Sequence, residues 1–420
     1  MTDTELTNHH PNRPLTLSPE NIKSVIRGLP AKAQLVLQSL IQMKHGSLSL
    51  TLPDKRTVLV SGRNPGPRAD ITLHNWNLFR HALTGGTIAV AEGYMDGDWE
   101  STDVGAFLEL FLVNAEVGSR FSNGARGLFR LFEKLRHWRN ANTKSGSRRN
   151  ISAHYDLGNS FYREWLDPSM TYSSALFANG ADDLAAAQRE KYRALAEATG
   201  IEPHHNVLEI GCGWGGFAEY AAGEIGCRVT GLTISREQLA FATERMQKAG
   251  LSDRVFLKFQ DYRDEVGQYD RIVSIEMFEA VGEKFWPVYF GTLRDCLKPG
   301  GKAGLQIITI KPEAYREYRS NPDFIQKYVF PGGMLPTPQH LHELGRKAGL
   351  SITSDFGFGQ DYARTLAEWR ESFWQRWEQI APLGFDVRFK RLWEFYFFYC
   401  EAGFRAGNID VRQVVFQKTD

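Results

Sequence analysis

The sequence predicts an α/β protein with a doubly wound, parallel sheet, preceded by a smaller N-terminal α+β domain. After residue 151, short apolar runs such as NVLEIG, CRVTGL and YDRIVSI alternate with stretches of helical periodicity. Strands that are separated by helices in this way pair in parallel through right-handed crossovers. The length of 420 residues also exceeds the ~250–300 residues at which single cores stop growing, so we expect two domains.

The predicted domain boundaries follow changes in this pattern. Residues 1–118 mix helical and strand-like runs and close with the apolar stretch VGAFLELFLV, which predicts a helix. Residues 119–150 are basic and end in the turn-rich NTKSGSRRN, which is typical of an exposed linker. Residues 151–420 carry the alternating pattern, interrupted at 311–339 by a polar, aromatic insertion that we interpret as a lid or as a fixed surface loop.

Composition narrows the class of protein. The hydrophobic share of 42% is ordinary for a globular chain. The first ten residues lack the apolar core of a signal peptide, and no apolar run reaches the ~18 residues that span a bilayer, which predicts a cytoplasmic protein. The four cysteines show no paired spacing, so neither a disulfide framework nor a bound metal is expected.

The net charge of +1 conceals one strongly basic segment. Between Arg120 and Arg149, nine Lys and Arg side chains accompany a single acid, Glu133. Apolar residues recur there at helical spacing: Leu128, Leu131, Phe132, Leu135 and Trp138. The segment therefore reads as a basic amphipathic helix on an anionic membrane surface, or as a helix that packs on a neighbouring domain. Because the excess is local, no nucleic-acid partner is expected.

A glycine-rich turn follows the first strand of the alternating region. In LEIGCGWGG, Gly211, Gly213 and Gly216 have the G-x-G-x-x-G spacing that lets backbone N–H groups and a helix N-terminus approach a ligand. A dinucleotide site also expects an acid about 20 residues later, but Thr233 stands there, which disfavours NAD. Glu209 can hold the loop or reach an ammonium group, which favours S-adenosylmethionine.

Two acids stand at the end of a predicted buried strand. In SIEMFEAVG, Glu276 and Glu279 occupy positions where apolar residues are expected. Gln306 lies within the apolar strand GLQIITI, where a buried amide needs hydrogen-bonding partners. These residues are candidates for a catalytic site. Alternatively, Glu276 is exposed or paired with a basic neighbour, and Gln306 is a neutral filler.

The chain resembles the cyclopropane fatty acid synthase family of S-adenosylmethionine-dependent methyltransferases. The resemblance covers most of the chain and lies in EGYMDGDWE, HYDLGNSFYREWLDPSMTYSSALF, VLEIGCGWGGFAEYAA, GLTISREQLAFA, DYRDEVGQYDRIVSIEMFEAVG, FIQKYVFPGGMLP and FFYCEAGFRAGNIDVRQVVF. It implies a Rossmann-like class I methyltransferase fold and methylene transfer to the cis double bond of an unsaturated phospholipid. It further implies a homodimer, and such a lipid substrate suggests a peripheral position at the inner membrane surface.

The same resemblance implies positions for the cofactor. The methionine part is expected near Tyr172, Ser173 and Gly211. The ribose is expected near Thr233 and Gln238, and the adenine near Asp261 and Tyr262. Gln238 has an alternative role, because Ser235 to Gln238 also fits a capping box that serves only the helix.

The family's bicarbonate site is only partly kept. Members commonly bind the ion, which acts as the base, through a cysteine, a glutamate, a histidine, a backbone group and a tyrosine. This chain keeps Glu279, Ile308 and Tyr362 but has Ser174 for the cysteine and Gln306 for the histidine. It is most similar to a branch that includes plant cyclopropane synthases. The two replacements argue against bicarbonate as a required ligand.

We therefore hypothesise that Glu276 supplies the base and that Glu279 orients it or shares a proton with it. Aromatic faces such as Phe278 and Tyr362 would stabilise the lipid cation, although Tyr362 also fits an ordinary core position. The rival functions are a methyl- or methylene-branched product, methylation of a small amine, and a non-catalytic lipid-surface module.

Overall fold

The computed structural model describes residues 14–114 and 157–419. The basic segment predicted at 119–150 lies outside the described residues. The chain forms two compact units, one of Met1–Phe129 with Val387–Ala402 and one of Arg130–Asp386 with Gly403–Asp420. The predicted domain boundaries remain predictions, and the sequence pattern did not indicate that a late helical stretch belongs with the N-terminal unit.

The first unit is built on a five-stranded sheet with the order β1-β3-β2-β4-β5. Its strands are β1 (Leu15–Thr16), β2 (His45–Thr51), β3 (Thr57–Ser61), β4 (Asn64–Leu73) and β5 (Trp99–Glu100). Its helices are α1 (Ile22–Val25), α2 (Ala31–Leu40), α3 (Asn77–Asp96) and α4 (Val104–Val113). The prediction of a helix over VGAFLELFLV is confirmed. It begins where the Asp103 carboxylate accepts a hydrogen bond from Ala106 N at 2.8 Å, as an N-cap does.

The second unit contains a seven-stranded sheet with the order β11-β12-β10-β9-β6-β7-β8. Its strands are β6 (Asn206–Ile210), β7 (Arg228–Thr233), β8 (Val255–Phe259), β9 (Tyr269–Ile275), β10 (Leu297–Ile310), β11 (Leu350–Gly357) and β12 (Ile409–Lys418). The five strands β6 to β10 are parallel, which confirms the predicted doubly wound sheet. The antiparallel pairing of β12 with β10 and β11 was not predicted.

Helices connect these strands and surround the sheet. They are α5 (Asn159–Trp165), α6 (Leu184–Thr199), α7 (Gly216–Tyr220), α8 (Arg236–Lys248), α9 (Trp286–Cys296), α10 (Pro312–Ser320), α11 (Pro338–Lys347), α12 (Gly359–Gln375) and α13 (Trp377–Ile380). The last helix, α14 (Val387–Arg405), belongs to the first unit as far as Ala402. Apolar clusters lie on both faces of the sheet, one around Val207 and Phe217 and one around Leu208 and Phe290. Burial on both faces explains why the strands read as continuous apolar runs.

The sheet brings the predicted site residues to one edge. The glycine turn follows β6, Thr233 ends β7, and Glu276 follows β9. Because the carboxyl ends of parallel strands meet at the same edge, this is where ligands bind in doubly wound folds. Within the two described stretches of the chain, no helix is both long and apolar enough to cross a bilayer.

Candidate active site

The glycine turn after β6 adopts a backbone that side chains would disturb. Gly211 has φ of 83°, in the left-handed region, and a Cβ there would lie 2.8 Å from Met277 Cγ. A Cβ on Gly216, where α7 begins, would lie 2.5 Å from Tyr192 Oη. Gly213 also has a positive φ, and a Cβ there would meet no other atom within 4 Å. The turn therefore fits the glycine spacing and leaves its backbone accessible beside Gly213.

Glu209 lies in β6, two residues before the turn, and is 3% exposed. Its Oε2 is buried and accepts no hydrogen bond among the described residues. Burial raises the pKa of this carboxyl to about 8, although Arg245 and Lys191 pull it down. An unpartnered buried carboxylate oxygen beside a glycine turn fits the ammonium group of S-adenosylmethionine. Glu209 would hold that group, and the turn would accommodate the neighbouring part of the cofactor.

The residues at the end of β7 form a small polar cluster. The Thr233 hydroxyl donates to Gln238 Oε1 at 3.0 Å and accepts a hydrogen bond from Ser235 N. Ser235 caps α8 by accepting a hydrogen bond from Gln238 N at 3.3 Å. Gln238 thus contributes its backbone to the cap, while its side chain pairs with Thr233. Both predicted ribose residues lie together at the edge of the sheet.

The predicted adenine residues follow β8. Two guanidinium nitrogens of Arg263 donate to the Asp261 carboxylate, at 2.8 and 2.6 Å, a partner that sequence reasoning missed. Tyr262 Oη is buried without a hydrogen-bond partner among the described residues, and burial raises the pKa of this phenol. Tyr262 packs against Tyr289, with ring centroids 5.3 Å apart.

Tyr172 and Ser173 directly precede Ser174, whose backbone N–H donates to Glu276. The centroid of the Tyr172 ring is 5.3 Å from that of Trp369 and 5.6 Å from that of Trp165. The Ser173 hydroxyl accepts a hydrogen bond from Lys191 Nζ at 2.7 Å. Lys191 was not predicted. The sequence feature that could have identified Lys191 is its position on the buried face of α6, which also contains Ala187 and Leu195.

Glu276 is held by three donors that converge on its carboxylate. Tyr362 Oη donates to Oε2 at 2.6 Å. Gln306 Nε2 and Ser174 N both donate to Oε1 at 2.8 Å. The backbone at Glu276 has a positive φ of 49°, a strained conformation for a glutamate that is typical of functional sites. The alternative that Glu276 is an exposed acid is wrong.

The pKa of Glu276 is set by opposing effects. Burial raises it, whereas the Tyr362 hydrogen bond, the charge of Lys191 and the hydrogen bonds from Gln306 and Ser174 lower it. The net direction is upward. A carboxylate that stays hydrogen-bonded while its pKa is raised is a stronger base than an exposed one.

Gln306 and Ser174 contribute in ways that the sequence did not reveal. Gln306 is fully buried, and its Oε1 accepts a hydrogen bond from Gln413 Nε2 at 3.1 Å. This contact fixes the amide so that its NH₂ group faces Glu276. Ser174 donates to Glu276 through its backbone, because its hydroxyl donates to the Ala175 carbonyl. Gln413 was missed because it lies on the unpredicted strand β12.

Glu279 has a different environment. One oxygen accepts a hydrogen bond from Ile308 N, and the other is buried without a partner among the described residues. Burial and the charge of Glu276 raise the pKa of Glu279 to about 8, against the Ile308 hydrogen bond. Glu279 is therefore mainly protonated at neutral pH. Its carbonyl accepts from Met334 N at 2.8 Å, which joins it to the insertion.

The two aromatic candidates lie in different places. Phe278 is 1% exposed and packs in the core, with its ring 5.1 Å from Tyr289 and 5.5 Å from Trp286. The Tyr362 ring stacks on that of Phe404, with ring centroids 4.4 Å apart. The Tyr362 hydroxyl donates to Glu276. Tyr362 is thus both buried and part of the polar cluster.

The fold and the glycine turn define a class I S-adenosylmethionine-dependent methyltransferase. A family model for mycolic acid cyclopropane synthetases matches residues 142–414, and the chain belongs to this family. A tuberculostearic acid methyltransferase of Mycobacterium tuberculosis is 40% identical, with 78% of each chain covered. An Escherichia coli cyclopropane-fatty-acyl-phospholipid synthase is 37% identical over 86% of this chain and 90% of the relative.

A solved structure gives the same result. A mycolic acid cyclopropane synthase complexed with SAH and CTAB superposes with a TM-score of 0.61, at 29% identity, over 64% of this chain and 98% of the other. These similarities confirm the predictions of the family, the Rossmann-like fold and S-adenosylmethionine as the cofactor. The protein is an enzyme of the cyclopropane synthase family that acts on lipids.

Proposed function

We propose that this enzyme transfers a methylene group from S-adenosylmethionine to the cis double bond of an unsaturated phospholipid acyl chain, forming a cyclopropane ring. The observation that carries the proposal is the half-buried Glu276 side chain, whose carboxylate accepts hydrogen bonds from three converging donors. Methyl transfer to an alkene leaves a cation, and ring closure requires a base. Glu276 is the group at this site that is best arranged to act as one.

The chemistry divides between cofactor and protein. S-adenosylmethionine, when bound, supplies an electrophilic methyl group to the double bond. The alkene π electrons would form the new carbon–carbon bond as the S–CH₃ bond breaks and S-adenosylhomocysteine leaves, with a positive charge left on the adjacent acyl carbon. Glu276 then takes a proton from the added methyl group, and the released electron pair closes the ring. Nearby aromatic faces such as Tyr362 and Tyr172 can stabilise the cation without attacking it.

Glu279 supports this role as a neutral neighbour. With its pKa raised to about 8, Glu279 does not add a second negative charge beside Glu276 near pH 7. Two adjacent carboxyl groups whose pKa values are pushed apart are typical of acid and base pairs in active sites. Glu279 therefore orients the base region through Ile308 and the insertion, which we propose to be a lid over the acyl chain.

The proposal also removes the need for an added base. The groups that the family resemblance assigns to bicarbonate include Tyr362 and the positions occupied by Gln306 and Ser174. Here these three donate to the Glu276 carboxylate instead. We infer that Glu276 takes the place of the ion and that the enzyme needs no bicarbonate.

A second candidate is a branched product. It is favoured by the 40% identity with the tuberculostearic acid methyltransferase. A 1,2-hydride shift would first move the positive charge onto the carbon that carries the new methyl group. The same base would then remove a proton from that methyl group, which leaves a methylene branch in place of the ring. The site residues and the cofactor are the same in both cases.

The lipid substrate suggests that the enzyme works at a membrane. We propose that the basic segment 120–149 binds an anionic surface and that the protein acts as a homodimer. Binding to vesicles with anionic lipid should weaken at high salt, because screening reduces the attraction of each basic residue. Vesicle binding that does not change with salt would contradict this docking mode.

The decisive experiment uses oleoyl phospholipid vesicles and S-adenosylmethionine in bicarbonate-free buffer. The acyl chains should gain the mass of one CH₂ group, and proton NMR should show the high-field signals of a cyclopropane ring. Olefinic methylene signals would select the second candidate. The absence of any acyl product, with cofactor binding retained, would overturn both and favour a non-catalytic module. Activity only after bicarbonate is added would contradict the role of Glu276.

A further inference from the structure

Lys191 is a buried cation that the proposed reaction does not use. It lies in α6 and is fully buried. Its ammonium group donates to Ser173 Oγ at 2.7 Å and lies 4.5 Å from the centre of the Tyr192 ring. Within the described stretches, its nitrogen has no carboxylate oxygen within the 4.0 Å of an ion pair. Burying a charge without a direct counter-ion is costly, so this lysine calls for a specific explanation.

The charges of three acids from other segments act on Lys191, and hydrogen bonds tie it to one of them. Lys191 donates to Ser173, and the next residue, Ser174, donates its backbone N–H to Glu276 Oε1 at 2.8 Å. Glu276 follows β9, Glu209 lies in β6 and Asp167 follows α5. Burial lowers the pKa of Lys191 to about 7, and these three acids raise it. In turn, the charge of Lys191 lowers the pKa of both Glu276 and Glu209. Lys191 therefore acts on both the acid before the glycine turn and the proposed base.

The other groups that face these acids do not replace Lys191. The charge of Arg245 lowers the pKa of Glu209. For Glu276, the charge that lowers the pKa is that of Lys191. The donors to Glu276 are a phenol, an amide and a backbone N–H group, all of them neutral. Among the described residues, the cation that lowers the pKa of Glu276 is Lys191. Without it, only the neutral donors would oppose burial, and more of Glu276 would be protonated and unable to accept a proton.

We propose that Lys191 is a positioning residue for the base: its buried ammonium group keeps the Glu276 carboxylate ionised and holds the Ser173 hydroxyl beside the cofactor site. This inference rests on the proposed role of Glu276. It adds that the pH range in which the enzyme works is set by a residue on a different helix. Lys191 acts through Glu276 and is not itself required to touch the lipid.

The test is the pH dependence of kcat/KM in Lys191→Met, which keeps an extended side chain but removes the charge. A base must be ionised, so the acidic limb of the profile reports the pKa of Glu276. Loss of the nearby cation should move this limb upward by about one pH unit. Activity at pH values below the wild-type apparent pKa should fall about tenfold and recover at higher pH. An acidic limb that lies at the same pH in Lys191→Met as in the wild-type protein would overturn the inference.

Gln188→Met is the matched control. Gln188 lies one turn earlier on α6, is fully buried, and donates to the Ser173 carbonyl at 2.9 Å. The variant disturbs the same helix and the same serine without removing a charge. A merely structural effect would lower activity in both variants across all pH values. The inference requires the limb to shift in Lys191→Met and to stay in place in Gln188→Met.

A reciprocal measurement covers the case in which Lys191→Met does not fold. Interacting charges shift each other equally, so the pKa of Lys191 should fall in Glu276→Gln. NMR of ¹⁵N-labelled lysine side chains in the wild-type protein and in Glu276→Gln measures this change. An unchanged Lys191 pKa would overturn the inference. Full activity of Glu276→Gln with an unchanged acidic limb would instead refute the proposed function, so the two failures are distinguishable.

Discussion

Glu276 and Glu209 are both glutamates near the carboxyl edge of one sheet, yet their surroundings differ. Both oxygens of Glu276 accept hydrogen bonds, from three donors in all. Glu209 keeps a buried oxygen with no partner among the described residues, and burial raises its pKa to about 8. The protein itself thus completes the environment of one acid and leaves the other incomplete.

The difference indicates which acid reacts and which binds. A carboxylate that the protein holds in one orientation is ready to accept a proton without rearrangement. An unsatisfied carboxylate is costly alone and is stabilised when a cationic ligand supplies the missing donor. The acid cluster is therefore preorganised for chemistry, whereas the glycine turn is preorganised for a ligand. Substitutions on the two sides should affect different kinetic constants.

The largest effect is expected for Glu276→Gln. An amide of nearly the same shape cannot act as a base, so kcat should fall by about 10²–10⁴-fold while the KM for S-adenosylmethionine changes little. Steady-state kinetics with oleoyl phospholipid measures both constants. Glu265→Gln provides a control, because Glu265 is a buried glutamate that pairs with Lys258 outside the site. Full activity of Glu276→Gln would contradict the division between the two acids.

Glu209→Gln should act on binding. The cofactor's ammonium group would lower the pKa of Glu209 and ionise it on binding. Loss of that carboxylate should weaken S-adenosylmethionine binding by about 10–100-fold. Calorimetric titration with S-adenosylhomocysteine, which carries the same ammonium group, measures the affinity directly. A loss of kcat with unchanged affinity would show that Glu209 belongs to the chemistry instead.

Tyr362→Phe should have a smaller effect on the base. Removing the hydroxyl leaves Glu276 Oε2 without its 2.6 Å donor, so the pKa of Glu276 should rise and kcat should fall about tenfold on the acidic limb of the pH profile. The acidic limb of the pH profile should move upward. Tyr269→Phe is the matched control, because this buried phenol donates to Glu265. A limb that moves equally in both variants would contradict the assignment.

The smallest effect on catalysis is expected for Glu279→Gln, for which the quantity to measure is stability. Between pH 4.5 and about 8 the folded wild-type protein keeps a proton on Glu279 that the unfolded chain loses. The free energy of unfolding of the wild-type protein should therefore fall through this range relative to that of the variant, by up to roughly 5 kcal/mol. Urea denaturation at several pH values measures the difference. A difference that does not depend on pH would show that Glu279 is ionised in the folded state.

Local patterns in the sequence were sufficient for much of this description. The alternation of apolar runs and helices predicted the parallel strands, and the helix α4 was found over the stretch that the sequence indicated. The glycine spacing placed the turn after β6, since such spacing reflects backbone geometry within a few residues. The position of Glu276 and Glu279 at the end of one strand also followed from the sequence alone.

Only the tertiary structure decided what surrounds those acids. Two of the three donors to Glu276, Ser174 and Tyr362, lie 102 and 86 residues away in the sequence. Gln413 orients Gln306 because β12 pairs with β10 in the register that sets these two residues opposite each other. Hydrogen bonds and burial of this kind depend on strand pairing and helix packing across long sequence separations, which local periodicity does not encode. For the same reason, the sequence did not reveal that Lys191 is a buried charge beside the base.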